Sequence, residues 1–319
     1  EILDTSPDDR QSQRALTALY DRAGRYEEVV EMLEAQYERS RSRTERGALL
    51  RRLGELWHHI LKEPDRAIWA CETILEENPS DIEAMHRLQL IHQEREQWNL
   101  LLKVMSSEVK VLESLEDKMA LLRRMARIAG LQLKREDLAF KIWKQLHGLD
   151  PSNLEIVDTL AGYYNANGPD DALAELLDTA GNAESTPKIR QLDYALRLGW
   201  LSRDRLLDVD RAQAAFERAL ELRDDHRGAL QALADIYREK DLFEHLCVVL
   251  QHLQATADTE GETWSLASER ANYLVEHLDR SHDAAAVLVA ASRELVDGGS
   301  ELNLRIMDCY EAAEDHHGV

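Results

Sequence analysis

Four arginines recur along the chain at a nearly constant spacing, and their side chains are the best candidates for specific chemistry. They are Arg52, Arg124, Arg197 and Arg270, and their period is about 72 residues. A guanidinium group presents a planar fork of N–H donors that matches a carboxylate. This arginine series therefore predicts contacts with carboxylates, either inside the protein or on a bound partner.

The internal alternative has candidate partners in a second recurring set. These aspartates stand at similar intervals and are Asp65, Asp137, Asp210 and Asp283. A residue that returns in every repeat is typical of a structural requirement, whereas contacts with a ligand usually differ between repeats. The sequence favours the structural role and leaves the binding role open.

Motifs that carry common catalytic chemistry are absent. The sequence has no phosphate-binding glycine loop, no GxSxG nucleophile motif and no HExxH zinc motif. Adjacent carboxylates such as Asp8 and Asp9 fall at predicted helix starts, where they cap free N–H groups. Neighbouring histidines such as His58 and His59 point about 100° apart on a helix, so they do not readily share a metal. These patterns predict no enzyme activity, no cofactor and no metal site.

The three cysteines are far apart, and each lies on the apolar face of a predicted helix. They are Cys71, Cys247 and Cys309. Their spacing matches no zinc motif, and we expect them to be small buried hydrophobic side chains. The lack of a disulfide framework favours a reducing compartment, which predicts a cytoplasmic protein.

The elements that must position these side chains repeat with the same period. The segment Leu16–Tyr26 returns four times, and its aromatic or histidine anchor is Tyr20, His92, Tyr164, Tyr237 and Tyr310. Within a unit, apolar residues fall at helical spacing, as in Val29, Met32 and Leu33. Each unit thus predicts four helices. The expected units cover about residues 8–79, 80–151, 152–224 and 225–297, with a partial unit at 298–319.

The pattern resembles the tetratricopeptide repeat, a helix–turn–helix unit of about 34 residues. The matching positions are Ala212, Phe216, Ala219 and Leu220, then Ala139, Trp143, Leu146 and Pro151, with Leu16, Tyr20, Gly24, Tyr26, Leu53, Gly54 and Trp57 in first helices of hairpins. The resemblance implies an all-α, right-handed α-solenoid that forms one array over residues 1–319. The observed period is longer than twice the family repeat, so one hairpin of each unit must be longer.

The resemblance also implies where a partner binds, because first helices of such hairpins line a concave groove. The arginine series would then lie in that groove. Transferred by the same pattern, the other groove positions are Arg14, Asp21, His86, Gln93, Asp158, Asn165, Gln231 and Arg238. Their mixed polar character suits a protein or a peptide and names no particular ligand.

The composition excludes some classes of partner. The formal net charge is −22, with 39 Lys and Arg against 61 Asp and Glu. This charge favours a solvated surface and leaves a basic partner as the alternative, whereas nucleic acid binding needs a net basic face. No apolar run approaches the roughly 18 residues of a membrane span. We therefore expect neither nucleic acid binding nor membrane insertion.

Both ends of the sequence fall inside a repeat. Glu1–Thr5 matches the last turn of a preceding unit, and Glu301–His316 matches the first helix of a fifth unit. We therefore expect a segment cut from a longer array. The sequence predicts a non-catalytic scaffold that binds a protein or peptide in the groove. The alternative is a structural protein that self-associates end to end through open ends.

Overall fold

The computed structural model describes residues 10–292, and 82% of them are helical. Sixteen α-helices and three short π-helical segments account for this content, and this range contains no β-strand. The predicted all-α fold is confirmed. The expected helix at Glu301–His316 and the expected turn at Glu1–Thr5 lie outside the described residues.

The chain divides into two compact units between Leu149 and Asp150. The described helices of the first unit are α1 (Arg10–Arg22), α2 (Tyr26–Arg39), α3 (Arg43–Glu55), α4 (Pro64–Glu77), α5 (Ile82–Glu94), α6 (Trp98–Val111), α7 (Leu115–Arg127) and α8 (Glu136–Leu149). Each of these helices packs against the next one in the chain. The unit is therefore a tandem array of helix hairpins.

The second unit has the same order of helices. They are α9 (Leu154–Asn167), α10 (Asp170–Asn182), α11 (Lys188–Leu201), α12 (Val209–Leu222), α13 (Arg227–Glu239), α14 (Phe243–Ala255), α15 (Glu260–Glu276) and α16 (Ser281–Ser292). Here too, each helix packs against its successor. A single continuous array over residues 1–319 stays a prediction.

Helix starts follow the period that the sequence predicts. The third helices of the four repeats begin at Arg43, Leu115, Lys188 and Glu260. Side-chain caps explain several starts, because the hydroxyl of Ser42 and that of Ser114 each accept a hydrogen bond from a free backbone N–H three residues later. A capping hydroxyl, from Ser42, Ser114 or Thr259, thus precedes three of these four starts, whereas Pro187 precedes the start at Lys188.

The third helix carries the extra length of each repeat. In the first three repeats it continues into a π-helical segment, at Leu56–Ile60, Ile128–Gln132 and Ser202–Leu206. The wider turn is closed by a bond such as Glu63 N–H to the Trp57 carbonyl, at 2.7 Å. A residue with positive φ ends each segment, namely Lys62, Lys134 and Leu207. With its π segment, the third helix runs for 18 residues in the first two repeats and 19 in the third, against 13 or 14 in the other helices of these repeats. This extra length accounts for the longer hairpin.

Apolar faces of successive helices form the cores of both units. In the first unit, Leu53 and Trp57 are fully buried among Val29, Ile74 and Leu88. In the second unit, the corresponding core is built around Phe216, Leu233 and Leu250. Small residues allow the third and fourth helices to approach closely, because a Cβ atom on Gly199 would lie 2.6 Å from Phe216 Cε1.

Candidate functional site

A pocket lies between the first and third helices of each of the first three repeats, with the second helix as its floor. Its volume is about 240 Å³ in the first repeat, 640 Å³ in the second and 340 Å³ in the third. The arginine of the series lies in the wall each time, as Arg52, Arg124 and Arg197. Recurrence at one place marks these pockets as the candidate site.

In the first repeat, the pocket arginine pairs with a carboxylate of the first helix. Arg52 lies 3.1 Å from Asp21 and 3.0 Å from Glu55, and its side chain is 42% exposed. Arg14 belongs to the same pocket, as the sequence predicts. An exposed pair of this kind contributes roughly 0–1 kcal/mol, so it positions the side chains more than it stabilises the fold.

In the second repeat, the pocket is larger and its polar groups form a connected network. Arg124 donates to the side-chain amide oxygens of Gln89 and Gln93. The Gln89 amide donates to Glu108, whose other carboxylate oxygen lies 2.7 Å from His86 Nε2. Glu108 is only 4% exposed, so these contacts satisfy a buried carboxylate. His86 and Gln93 thus lie in the pocket where the sequence places them.

The pocket of the third repeat is narrower, and its arginine again contacts carboxylates. Arg197 lies 3.7 Å from Asp193 and 3.9 Å from Asp158. The predicted site residue Asn165 also lines the pocket and accepts a hydrogen bond of 2.8 Å from Arg205. The structure therefore brings Arg197 and Asn165 to one pocket.

The fourth repeat corrects the arginine series. Its third helix begins at Glu260, and the third helix of the preceding repeat begins at Lys188. Counted from these starts, Glu269, and not Arg270, occupies the position of Arg197. Arg238 on the first helix lies 2.8 Å from Glu269, which is the contact of the first repeat with the charges exchanged.

The fourth repeat also contains a predicted groove residue that lies away from the pockets. Gln231 is exposed and lines none of the pockets described above.

Arg270 itself is turned partly into the protein. Burial lowers the pKa of its guanidinium, and its Nε atom is buried without a hydrogen-bond partner. The terminal Nη2 of its guanidinium donates a hydrogen bond of 2.9 Å to the side-chain oxygen of Gln251. One residue of helix register, about 100° of rotation, separates this position from the pocket wall.

The prediction that the recurring aspartates pair with the arginine series is wrong. Asp65 pairs with Arg95, Asp137 with Arg135, Asp210 with Lys240 and Asp283 with Arg280. These aspartates begin the fourth helices, whereas the arginine series faces the first helices. The sequence places Asp21 and Gln93 in the groove but does not identify them as contacts of Arg52 and Arg124. The buried Glu108, which contacts Gln89 and His86, was missed.

The remaining chemistry of the described chain fits a protein core. Cys71 and Cys247 are free and buried, as predicted, and burial raises the pKa of the Cys71 thiol to about 12. Cys309 lies outside the described residues. Between residues 10 and 292, the structure contains no cluster of three or more His, Cys, Asp or Glu side chains that would hold a metal. In the same range, no helix has the length and apolar content to cross a membrane.

The similarities to known proteins that were found are to solved structures. No family model and no curated protein sequence matches it. One similar solved structure is the C-terminal part of a TPR repeat-containing protein from Cytophaga hutchinsonii, at 12% identity and a TM-score of 0.36, covering 82% of this chain and 98% of that chain. PilF of Pseudomonas aeruginosa matches at 15% identity and 0.33, covering 71% and 96%. YrrB, a TPR protein with an unusual peptide-binding site, matches at 16% and 0.29, covering 58% and 90%.

The helix order defines the class. Successive hairpins pack side by side in each unit, and a new repeat begins after every four helices. The predicted resemblance to tetratricopeptide-like helical repeats is confirmed at the level of the fold.

Proposed function

We propose that this chain is a non-catalytic interaction scaffold that binds a protein or peptide partner on the face formed by the first and third helices of its hairpins. The observation that carries the proposal is the recurrence of a pocket at this position in three successive repeats. Within one unit, a fold that repeats one concavity with changing side chains offers more than one subsite to a partner.

Changing side chains distinguish the subsites. Asp21, Gln93 and Asn165 occupy equivalent positions, and so do Arg14, His86 and Asp158. Contacts that vary between repeats are typical of recognition. The exposed arginines of these pockets favour a partner segment that carries carboxylates, and the net charge of −22 disfavours nucleic acid.

Selection from a random peptide library, followed by hydrogen exchange, tests the proposal. Bound peptides should slow exchange in α1, α3, α5, α7, α9 or α11, and they should leave the fourth helices, which line none of the three pockets, unchanged. A library that yields no binder, or binders that protect only the fourth helices, contradicts the proposal. The free, buried cysteines are consistent with function in the cytoplasm, which we include in the proposal.

A further inference from the structure

We propose that the pocket of the second repeat determines specificity, and that it takes an extended peptide segment in which an aliphatic side chain stands next to a carboxylate side chain. The inference rests on the proposed function and names the partner chemistry of one subsite. Its residues lie on α5, on α7 and at the C-terminal end of α6, and they include the carboxylates of Glu108 and Asp117. Three features carry the inference: the dimensions of the pocket, its apolar wall and the hydrogen bonds of Arg124.

The dimensions favour an extended chain. The pocket follows α5 from Ile82 to Gln93, which is about 16 Å at a rise of 1.5 Å per residue. The volume of the pocket is about 640 Å³. An extended strand of about five residues matches the length.

The walls supply apolar surface for an aliphatic side chain. Leu90 is 43% exposed and Ile82 is 38% exposed, on the face of α5 that borders the pocket. Leu112 and Leu121 are half-buried on the opposite sides. Covering such side chains removes apolar area from water, which favours binding of an aliphatic side chain.

Arg124 presents a positive charge that no carboxylate of the described chain neutralises directly. Its hydrogen bonds go to the neutral amides of Gln89 and Gln93, and its side chain is exposed. The equivalent arginines are paired, Arg52 with Asp21 and Arg197 with Asp193. A guanidinium has five N–H donors, so donors of Arg124 remain for an incoming carboxylate.

The buried network fixes this arrangement in the second repeat alone among the first three. Glu108 holds Gln89, and Gln89 in turn holds Arg124. The residues equivalent to Glu108 are Gln36 in the first repeat and Ala180 in the third. Because neither carries a charge, the other pockets lack a floor that orients the arginine in this way.

An array of acetylated, amidated hexapeptides tests the inference with the full chain. Each peptide carries a central leucine followed by glutamate, lysine or alanine, and the tightest binders are titrated by fluorescence anisotropy. Glutamate should bind at least about tenfold more tightly than lysine. Arg124→Gln should abolish this preference, because one charge-assisted contact corresponds to about a factor of ten. Leu90→Ser should weaken binding of every leucine peptide by a similar factor.

Matched controls are Arg52→Gln and Arg197→Gln, which change the equivalent arginines and should alter the preference less than twofold. Helical circular dichroism confirms that each variant is folded. Equal binding of the glutamate and lysine peptides, or a preference that survives Arg124→Gln, overturns the inference. So does the absence of binding to any leucine peptide. Library ligands that protect α9 and α11 but not α5 and α7 overturn it too, and they leave the proposed function intact.

Discussion

The substitution Gly199→Ala should destabilise the protein, although alanine is the better helix former. Gly199 lies on α11, and a Cβ atom there would approach Phe216 to 2.6 Å, about 1 Å inside ordinary van der Waals contact. Phe216 is fully buried and packs edge-on against Trp200 at 5.1 Å between ring centroids, so it has little room to move. Overpacking of this kind costs about 1–3 kcal/mol.

The chain provides a control at the equivalent position of the first repeat. A Cβ atom on Gly54 would lie 3.6 Å from the Ala70 Cβ atom, which is an ordinary contact. Gly54→Ala should therefore gain roughly 0.5–1 kcal/mol from helix propensity alone. For Gly199→Ala, the same gain offsets part of the clash and leaves a net loss of about 1–2 kcal/mol.

The assay is urea unfolding followed by circular dichroism, with the two variants compared with the wild-type chain. Phe216→Leu in the Gly199→Ala background should recover part of the loss, because the fourth repeat combines Ala271 with Leu288 at these positions. Equal stability changes for Gly199→Ala and Gly54→Ala would refute the reasoning. A double variant no better than the sum of the single ones would also refute it.

Three further predictions concern the turns, the cysteines and the pocket arginines. Leu207 is 77% exposed at a φ of 55°, so Leu207→Gly should raise the free energy of unfolding by about 1 kcal/mol in thermal melts, and Leu207→Val should lower it. Because burial raises the Cys71 pKa from 9 to about 12, the native thiol is protonated where the unfolded one ionises. The stability present below pH 9 should fall between pH 9 and 12, and Cys71→Ala should flatten that slope in urea titrations. The Arg197 side chain is 36% exposed, so Arg197→Ala should cost less than about 1 kcal/mol; a drop above 2 kcal/mol would show that its ion pairs with Asp158 and Asp193 are stronger than exposed pairs.

The architecture could be predicted because local signals agree along the whole chain. The anchors Tyr20, His92, Tyr164 and Tyr237 recur on one period, and each falls within a first helix of the structure. Apolar stripes at helical spacing define a face to bury, and capping residues define where helices start. The burial of Cys71 and Cys247 follows from the same stripes. These features depend on residues close together in the sequence.

Several residues that line the pockets could also be named from the sequence. Arg14, Arg52, His86, Gln93, Arg124, Asn165 and Arg197 line pockets, as the repeat pattern implies. Glu108 was missed, although a signal exists, since it continues the buried stripe of Leu101 and Met105 on α6. A carboxylate on such a stripe indicates a buried polar contact.

The sequence by itself determined the helices, their period and the face that each one buries, because backbone propensity and hydrophobic patterning act locally. Tertiary structure alone decided which side chains contact one another across neighbouring helices. Between the third and fourth repeats the register shifts by one residue, which moves Arg270 off the pocket wall and puts Glu269 opposite Arg238. Equal spacing along the chain cannot reveal such a shift, because a helix turns about 100° per residue and a single residue changes the face that a side chain occupies.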